Sequence, residues 1–236
     1  MNQQRDLLQG VRALFVDAGG VLLRPDAGRI RALYTDAQAP TDEAIDRALY
    51  VHGKAGAGLG PGDDDDKFVV DFALSAGLSH ELIEQRFEDL RDIVLFSPWV
   101  ARHPEQTSRA LSTLARGLER IVIVSNTEYG GVRELLAELS ICQVGAGAGV
   151  PVALVIDSAE IGIHKPDPEI YRYTAASIGI PIERCACVGD SIRNDVDAAI
   201  RAGARGIHFA PYGSCPSDAH PHVGSLSELA KEVTHA

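Results

Sequence analysis

The sequence predicts an α/β fold: a parallel sheet with crossover helices, and a helical block inserted after the first strand. Three observations carry this prediction. Short β-branched or apolar runs alternate with longer helical stretches, as in a sheet whose strands are joined by helices. The runs are apolar throughout rather than alternating, which marks strands buried on both faces. Between the first and second runs lie roughly seventy residues that read wholly helical, far too many for an ordinary connection.

The first strand is expected at 11–16 (Val-Arg-Ala-Leu-Phe-Val), stopping at Asp17-Ala18-Gly19-Gly20. Helices are expected next at 28–38, 42–52, 67–76 and 81–96. The Gly-rich stretch 53–62 reads as a loop. The acidic run Asp63-Asp64-Asp65-Asp66 reads as the first turn of a helix, where the dipole favours negative charge. Further strands are expected at 121–124, 152–156, 185–188 and 205–209, and a terminal helix at 225–233. Cys185 and Cys187 alternate along their strand and should share one buried face. The expected division is a core of residues 1–24 and 99–236 with a cap of 25–98, hinged at Arg24-Pro25 and Ser97-Pro98.

Ligands of open α/β sheets bind at the carboxyl ends of the strands, so the polar residues there locate the chemistry. Strand one ends in Asp17, strand two in Ser125-Asn126-Thr127 and strand four in Gly189-Asp190-Ser191. Lys165-Pro166-Asp167-Pro168 follows strand three, and Asn194-Asp195 lies one helical turn past Asp190. Carboxylates for a divalent cation, together with a hydroxyl and an ammonium for phosphate, suit a phosphoryl group. Ser125-Asn126-Thr127 also reads as an N-cap box, and capping and phosphate binding draw on the same N–H groups.

These four pieces, in this order and each at an expected strand end, resemble the haloacid dehalogenase superfamily of aspartate-nucleophile hydrolases. Asp157-Ser158-Ala159-Glu160-Ile161-Gly162 is similar to that family's usual approach to its lysine. The resemblance covers the chain from about Val11 to the terminal helix. It implies a Rossmann-like core with a helical cap. It further implies a Mg²⁺-dependent hydrolase, expected to be a phosphatase of a small phosphorylated metabolite working through an aspartyl phosphate. By that resemblance Asp17 is the nucleophile, and Asp17, Asp190, Asp195 and the main-chain carbonyl of Gly19 hold the metal. Ser125 and the N–H groups after it, with Asn126, hold phosphate, and Lys165 neutralises the nucleophile and the transferring group.

One departure stands out. The family's phosphatases usually carry a second aspartate two residues after the nucleophile, to protonate the leaving oxygen and later activate water. Here that position is Gly19. Two other readings therefore stay open: a phospho-ligand-binding or regulatory protein that lost turnover, and a C–P hydrolase using a cap lysine, for which Lys54 is the candidate. His52 and Lys54 are the cap residues expected to touch substrate, and His52 is the candidate to replace the lost acid–base.

Cys215, His220 and His222 suggest zinc, but that Pro/Gly-rich loop offers no fourth ligand. Hydrophobic residues make up 45% and charged residues 23% of the 236, an ordinary globular composition that argues against disorder. The 33 acidic side chains outnumber the 22 basic ones and give a formal charge of −11 with no basic cluster, which speaks against nucleic acid or an anionic membrane as partner. No run is long enough to span a bilayer, and the N-terminus lacks the apolar core of a signal peptide. The four cysteines are too few and irregularly spaced for a disulfide framework, so a reduced, cytoplasmic setting is expected.

Overall fold

A computed structural model describes residues 7–52, 65–213, 215, 217 and 219–234. Its strands in chain order are β1 (Ala13–Val16), β2 (Leu23–Arg24), β3 (Val100–Ala101), β4 (Arg120–Ser125) and β5 (Cys142–Val144). They continue as β6 (Val150–Val152), β7 (Leu154–Asp157), β8 (Cys185–Gly189), β9 (Arg205–Phe209) and β10 (His222–Val223). The main sheet has six strands in the order β10-β9-β8-β1-β4-β7, all parallel.

Its two faces bury different residues of the same strands. Leu14 and Val16 of β1 and Ala186 and Val188 of β8 join one apolar cluster; Ala13, Phe15, Cys185 and Cys187 join the other. This two-sided burial is the reason the strands read as unbroken apolar runs. It also places both cysteines on one buried face, as their spacing predicts.

Helices α1 (Ala27–Ala32), α2 (Asp42–His52), α3 (Asp65–Ser75), α4 (His80–Gln85) and α5 (Phe87–Arg91) all lie between β2 and β3. They rise from an antiparallel ribbon in which Leu23 pairs with Ala101 and Arg24 with Val100. Ile45, Leu49, Val69, Phe72, Ile83 and Leu90 of this insertion are buried in the same cluster as Leu14 and Val16. Polar ties add to that contact. The Tyr50 hydroxyl donates to the Gly20 carbonyl at 2.5 Å, and Arg102 donates to Asp46 at 3.1 Å.

The remaining helices are α6 (Pro104–Gly117), α7 (Val132–Glu138), α8 (Ser158–Ile161), α9 (Glu169–Ile178), α10 (Ala198–Ala202) and α11 (Leu226–Thr234). None among the described residues is long and apolar enough to cross a membrane.

Several elements differ from the sequence reading. The helix expected at 28–38 ends at Ala32, and the chain then turns at Thr35, whose carbonyl accepts from the N–H groups of Gln38 and Ala39 ahead of Pro40. The helix expected at 81–96 is broken at Arg86 (φ −130°, ψ 21°), giving α4, α5 and a π-type turn over Asp92–Phe96. α3 starts two residues early, with Asp65 and Asp66 in its first turn; Asp63, Asp64 and the Gly-rich stretch 53–62 lie outside the described residues. The strand expected at 152–156 splits: β6 pairs with β5, and β7 alone enters the main sheet. The two-residue strands, and the short β5 beside β6, carry too little periodicity to be read from sequence.

Candidate active site

β1 lies between β4 and β8, with Val16 in register with both Ile123 and Val188. That register aligns the strands' carboxyl ends. Asp17, the residue after β1, therefore stands beside Ser125, the last of β4, and Asp190, the first after β8. The topology makes one floor from segments more than a hundred residues apart.

Lys165 reaches this floor from the loop between α8 and α9. Its Nζ donates to Asp17 Oδ1 at 2.6 Å and to Asp195 Oδ1 at 2.8 Å, and the lysine is only 3% exposed. Asn126 fixes its backbone reciprocally: Asn126 Nδ2 donates to the Lys165 carbonyl, and the Lys165 N–H donates to Asn126 Oδ1, both at 2.9 Å. Asp195 also accepts from the Tyr171 hydroxyl at 3.2 Å and from the Ser191 N–H at 3.0 Å.

Burial, the largest influence, pushes the Asp17 carboxyl up to about 7; Lys165 pulls it down and Asp195 adds to the rise. Asp190 is held well above the ordinary carboxylate range, first by burial and then by Asp17 and Asp195. Burial opposes the charge on Lys165, but Asp17 and Asp195 together outweigh it and raise that ammonium. Two buried carboxylates and the half-buried one of Asp190 thus face one ammonium, with oxygens of Asp17, Asp190 and Asp195 all within 4.8 Å of one another. An oxygen-only, charge-deficient cradle of this kind suits a hard divalent cation. Asn194 Oδ1, on the cavity wall, is buried without a hydrogen-bond partner. Asp17, Asp190 and Asp195 are the residues that fit such an ion.

Two glycines make the close approach possible. A Cβ on Gly20, which has φ +70°, would stand 2.1 Å from Asp190 Oδ2, and one on Gly189 would stand 2.2 Å from Asp195 Cγ. Neither position admits a side chain while the carboxylates stay where they are.

Above the floor opens a cavity of about 890 Å³. The insertion contributes Leu49, Asp65, Phe68 and residues 94–96 to its wall; the core contributes Trp99, Tyr129 and the α7 carboxylates Glu134 and Glu138. Lys165 is the sole lysine or arginine among its described lining residues.

The structure brings together Asp17, Ser125, Asn126, Lys165, Asp190 and Asp195, and Gly19 lines the same cavity. Ser125 is buried, its hydroxyl 3.4 Å from the Asn126 carbonyl. The capping expectation for Ser125-Asn126-Thr127 does not hold: α7 begins after Gly131 with no side-chain cap. The Asn126 side chain engages Lys165 instead, the Thr127 N–H donates to Ser158 Oγ at 3.0 Å, and the Thr127 hydroxyl bonds Asp157. Asp157 and Ser158 at the end of β7 thereby pin the turn after β4, a function that sequence spacing did not disclose. Tyr171 and Trp99 were likewise missed, since a tyrosine in a helix and a tryptophan after a proline read as core. His52 ends α2, and Lys54 lies outside the described residues.

A protein-family model for haloacid dehalogenase-like hydrolases matches residues 11–203. The chain belongs to that family. Among curated proteins it is 34% identical over 155 residues to a phosphoserine phosphatase of Thermus thermophilus, covering 64% of this chain and 56% of that protein. The chain thus spans little more than half the length of that relative. Among solved structures, a dehalogenase with an intermediate complex superposes with a TM-score of 0.57 at 19% identity, covering 93% of this chain and 96% of the other. A haloacid dehalogenase-family phosphatase from Thermococcus onnurineus gives 0.52 at 19% identity, covering 94% and 97%. At such identities the superpositions establish the fold. The protein is a haloacid dehalogenase-like hydrolase with phosphatase relatives.

Proposed function

We propose that the protein is a Mg²⁺-dependent phosphatase of small phosphate esters, working through an aspartyl phosphate on Asp17. The observation that carries this reading is the Lys165 ammonium bridging Asp17 and Asp195 beside Asp190, on the floor of a cavity edged by Ser125. Asp17, Asp190 and Asp195 would hold the cation, with the Gly19 carbonyl as a further ligand. When bound, Mg²⁺ supplies positive charge against the phosphate oxygens and the carboxylates.

The chain's own residues divide the rest of the work. Asp17 attacks phosphorus through a carboxylate oxygen, and the bond to the leaving oxygen breaks as the aspartyl phosphate forms. Water then attacks that phosphorus, releasing phosphate and returning Asp17. Lys165 holds Asp17 oriented and offsets charge on the transferring group. Ser125 and the main-chain N–H of Asn126 are the phosphate donors, with the Asn126 side chain setting the Lys165 backbone. Gly19 brings no proton to the leaving oxygen, so esters with good leaving groups are the better substrates. Residues 25–98 act as a cap that shields the reaction from water and presents its apolar wall to the leaving group. The carboxylates of Asp65, Glu134 and Glu138 on the cavity wall favour a leaving group that carries an ammonium, so ammonium-bearing aryl phosphates come ahead of alkyl ones. The cytoplasm, where such metabolites occur, is the expected setting, and the four cysteines are unbridged.

A second reading, a phospho-ligand-binding protein without turnover, is favoured by Gly19 and by the Trp99 ring that covers it. A panel of acyl, aryl, seryl and sugar phosphates with and without Mg²⁺ separates the two. The phosphatase reading expects Mg²⁺-dependent phosphate release that falls by about 10⁴-fold or more in Asp17→Asn. Saturable binding of phosphate compounds with no release from any of them would favour the binding protein.

A further inference from the structure

We infer that the chain carries a second metal site, a Cys-His₃ zinc centre formed by His208, Cys215, His220 and His222 at the edge of the main sheet. The loop that offers Cys215, His220 and His222 lacks a fourth ligand in sequence, but the sheet supplies one. β10 pairs with β9 in parallel, and His222 stands in register with His208. His220 comes to the same place, its ring centroid 4.6 Å from that of His222. The His208 N–H donates to the Pro221 carbonyl at 2.9 Å, which holds the returning chain against β9.

The outcome is four soft or borderline ligands in one place. One ligand-capable atom from each of the four residues lies within 4.8 Å of the other three. The three imidazole centroids are 4.6–5.3 Å apart. Cys215 Sγ stands 3.6 Å from His220 Nε2. In a tetrahedron with zinc bonds of about 2.3 Å to sulfur and 2.0–2.1 Å to nitrogen, the sulfur–nitrogen edge is about 3.6 Å. The Cys215–His220 pair therefore already stands at the edge length of a zinc tetrahedron.

His208 is prepared as a ligand on independent grounds. Its Nε2 stands 3.1 Å from the Asp190 carbonyl, which can only accept, so the proton is on Nε2. Nδ1 is then the lone-pair nitrogen, and it is buried without a hydrogen-bond partner. A ligating histidine whose other nitrogen donates to a main-chain carbonyl is the usual outer-shell arrangement. Binding releases one proton, from the Cys215 thiol, and leaves three neutral imidazoles on the ion. Three nitrogens and one thiolate select zinc over magnesium, so this centre does not compete with the carboxylates for the same ion.

The site has a structural consequence for the catalytic floor. His208 joins the zinc on one side to the Asp190 carbonyl on the other, so an ion here would brace the segment that presents Asp190.

The test measures metal content on the full chain, produced with zinc and dialysed against Mg²⁺ buffer. Wild type should retain about one zinc per chain. That zinc should be lost in Cys215→Ser and in His222→Gln but kept in Asp17→Asn. Replacing zinc by Co²⁺ in the wild type should give an intense near-ultraviolet thiolate-to-cobalt band with tetrahedral visible absorption, which decides the matter even if a variant fails to fold. Absence of retained zinc together with absence of the thiolate band would overturn the site. Zinc that persists in Cys215→Ser but leaves in Asp17→Asn would overturn it too, by placing the ion on the carboxylates.

Discussion

The indole of Trp99 lies over Gly19, its Cζ3 3.4 Å from the position a Cβ on that glycine would take. Apart from Gly19 itself and its two chain neighbours, Trp99 supplies the only atoms among the described residues within 4 Å of that position. The ring is anchored there, since Trp99 Nε1 donates to the Val94 carbonyl at 3.0 Å. In this family's phosphatases the residue at this position is usually the acid–base aspartate. Here the space is shared with an aromatic side chain from the base of the insertion.

Restoring the aspartate should therefore take two changes. Gly19→Asp alone is expected to give little gain, because its carboxylate competes with the indole for room. Gly19→Asp with Trp99→Ala should raise turnover of phosphate esters with poor leaving groups by about 10²–10⁴-fold, and of acyl phosphates far less. Steady-state rates on a leaving-group series check this. A double variant no faster than wild type on sugar phosphates would show that proton transfer already has another donor.

Lys165 holds two buried carboxylates at once. Lys165→Met leaves Asp17 and Asp195 without their cation, and breaking a buried ion pair on one side costs about 3–5 kcal/mol. Urea denaturation should show a loss of that order, alongside loss of activity. An unchanged midpoint would mean that the carboxylates find compensation elsewhere in the fold.

Protons and Mg²⁺ should compete at the floor. The Asp17 carboxyl rises from 3.8 to about 7 in the metal-free fold. Between those values the folded state holds a proton that the unfolded chain has released, so metal-free stability falls as pH rises through that window. Mg²⁺ needs the deprotonated oxygens, and its stabilisation should grow across the same interval. Melting curves with and without Mg²⁺, taken from about pH 5 to about pH 8, should diverge as pH rises. A constant difference would separate the metal from the Asp17 proton.

The cavity wall has an aromatic pair drawn from both parts of the chain. Phe96 of the insertion and Tyr129 of the core stand 6.5 Å apart between ring centroids, and both line the cavity. Phe96→Ala should widen the cavity there and shift the kcat/KM ratio between bulky and compact phosphate esters by about tenfold. Equal effects on both sizes would show that the pair does not set substrate size.

Much of the fold is decided by local pattern. Strands buried on both faces need continuous apolar runs, so β1, β4, β8 and β9 announce themselves in composition. The strand-end rule then leads from those runs to Asp17, Ser125 and Asp190, and onward to Asp195 one turn later. Lys165 is legible because its motif keeps to the order of the others. Three features needed the folded chain. Trp99 reaches Gly19 only because β2 and β3 pair at the foot of the insertion. The turn after β4 is pinned by Asp157 and Ser158 rather than capping α7, a contact made across two neighbouring strands. His208 meets Cys215, His220 and His222 only because a two-residue strand returns beside β9. Periodicity reports which face of an element is buried. It carries no information about which distant side chain arrives beside it, because strand order and register are set by the packing of the whole sheet.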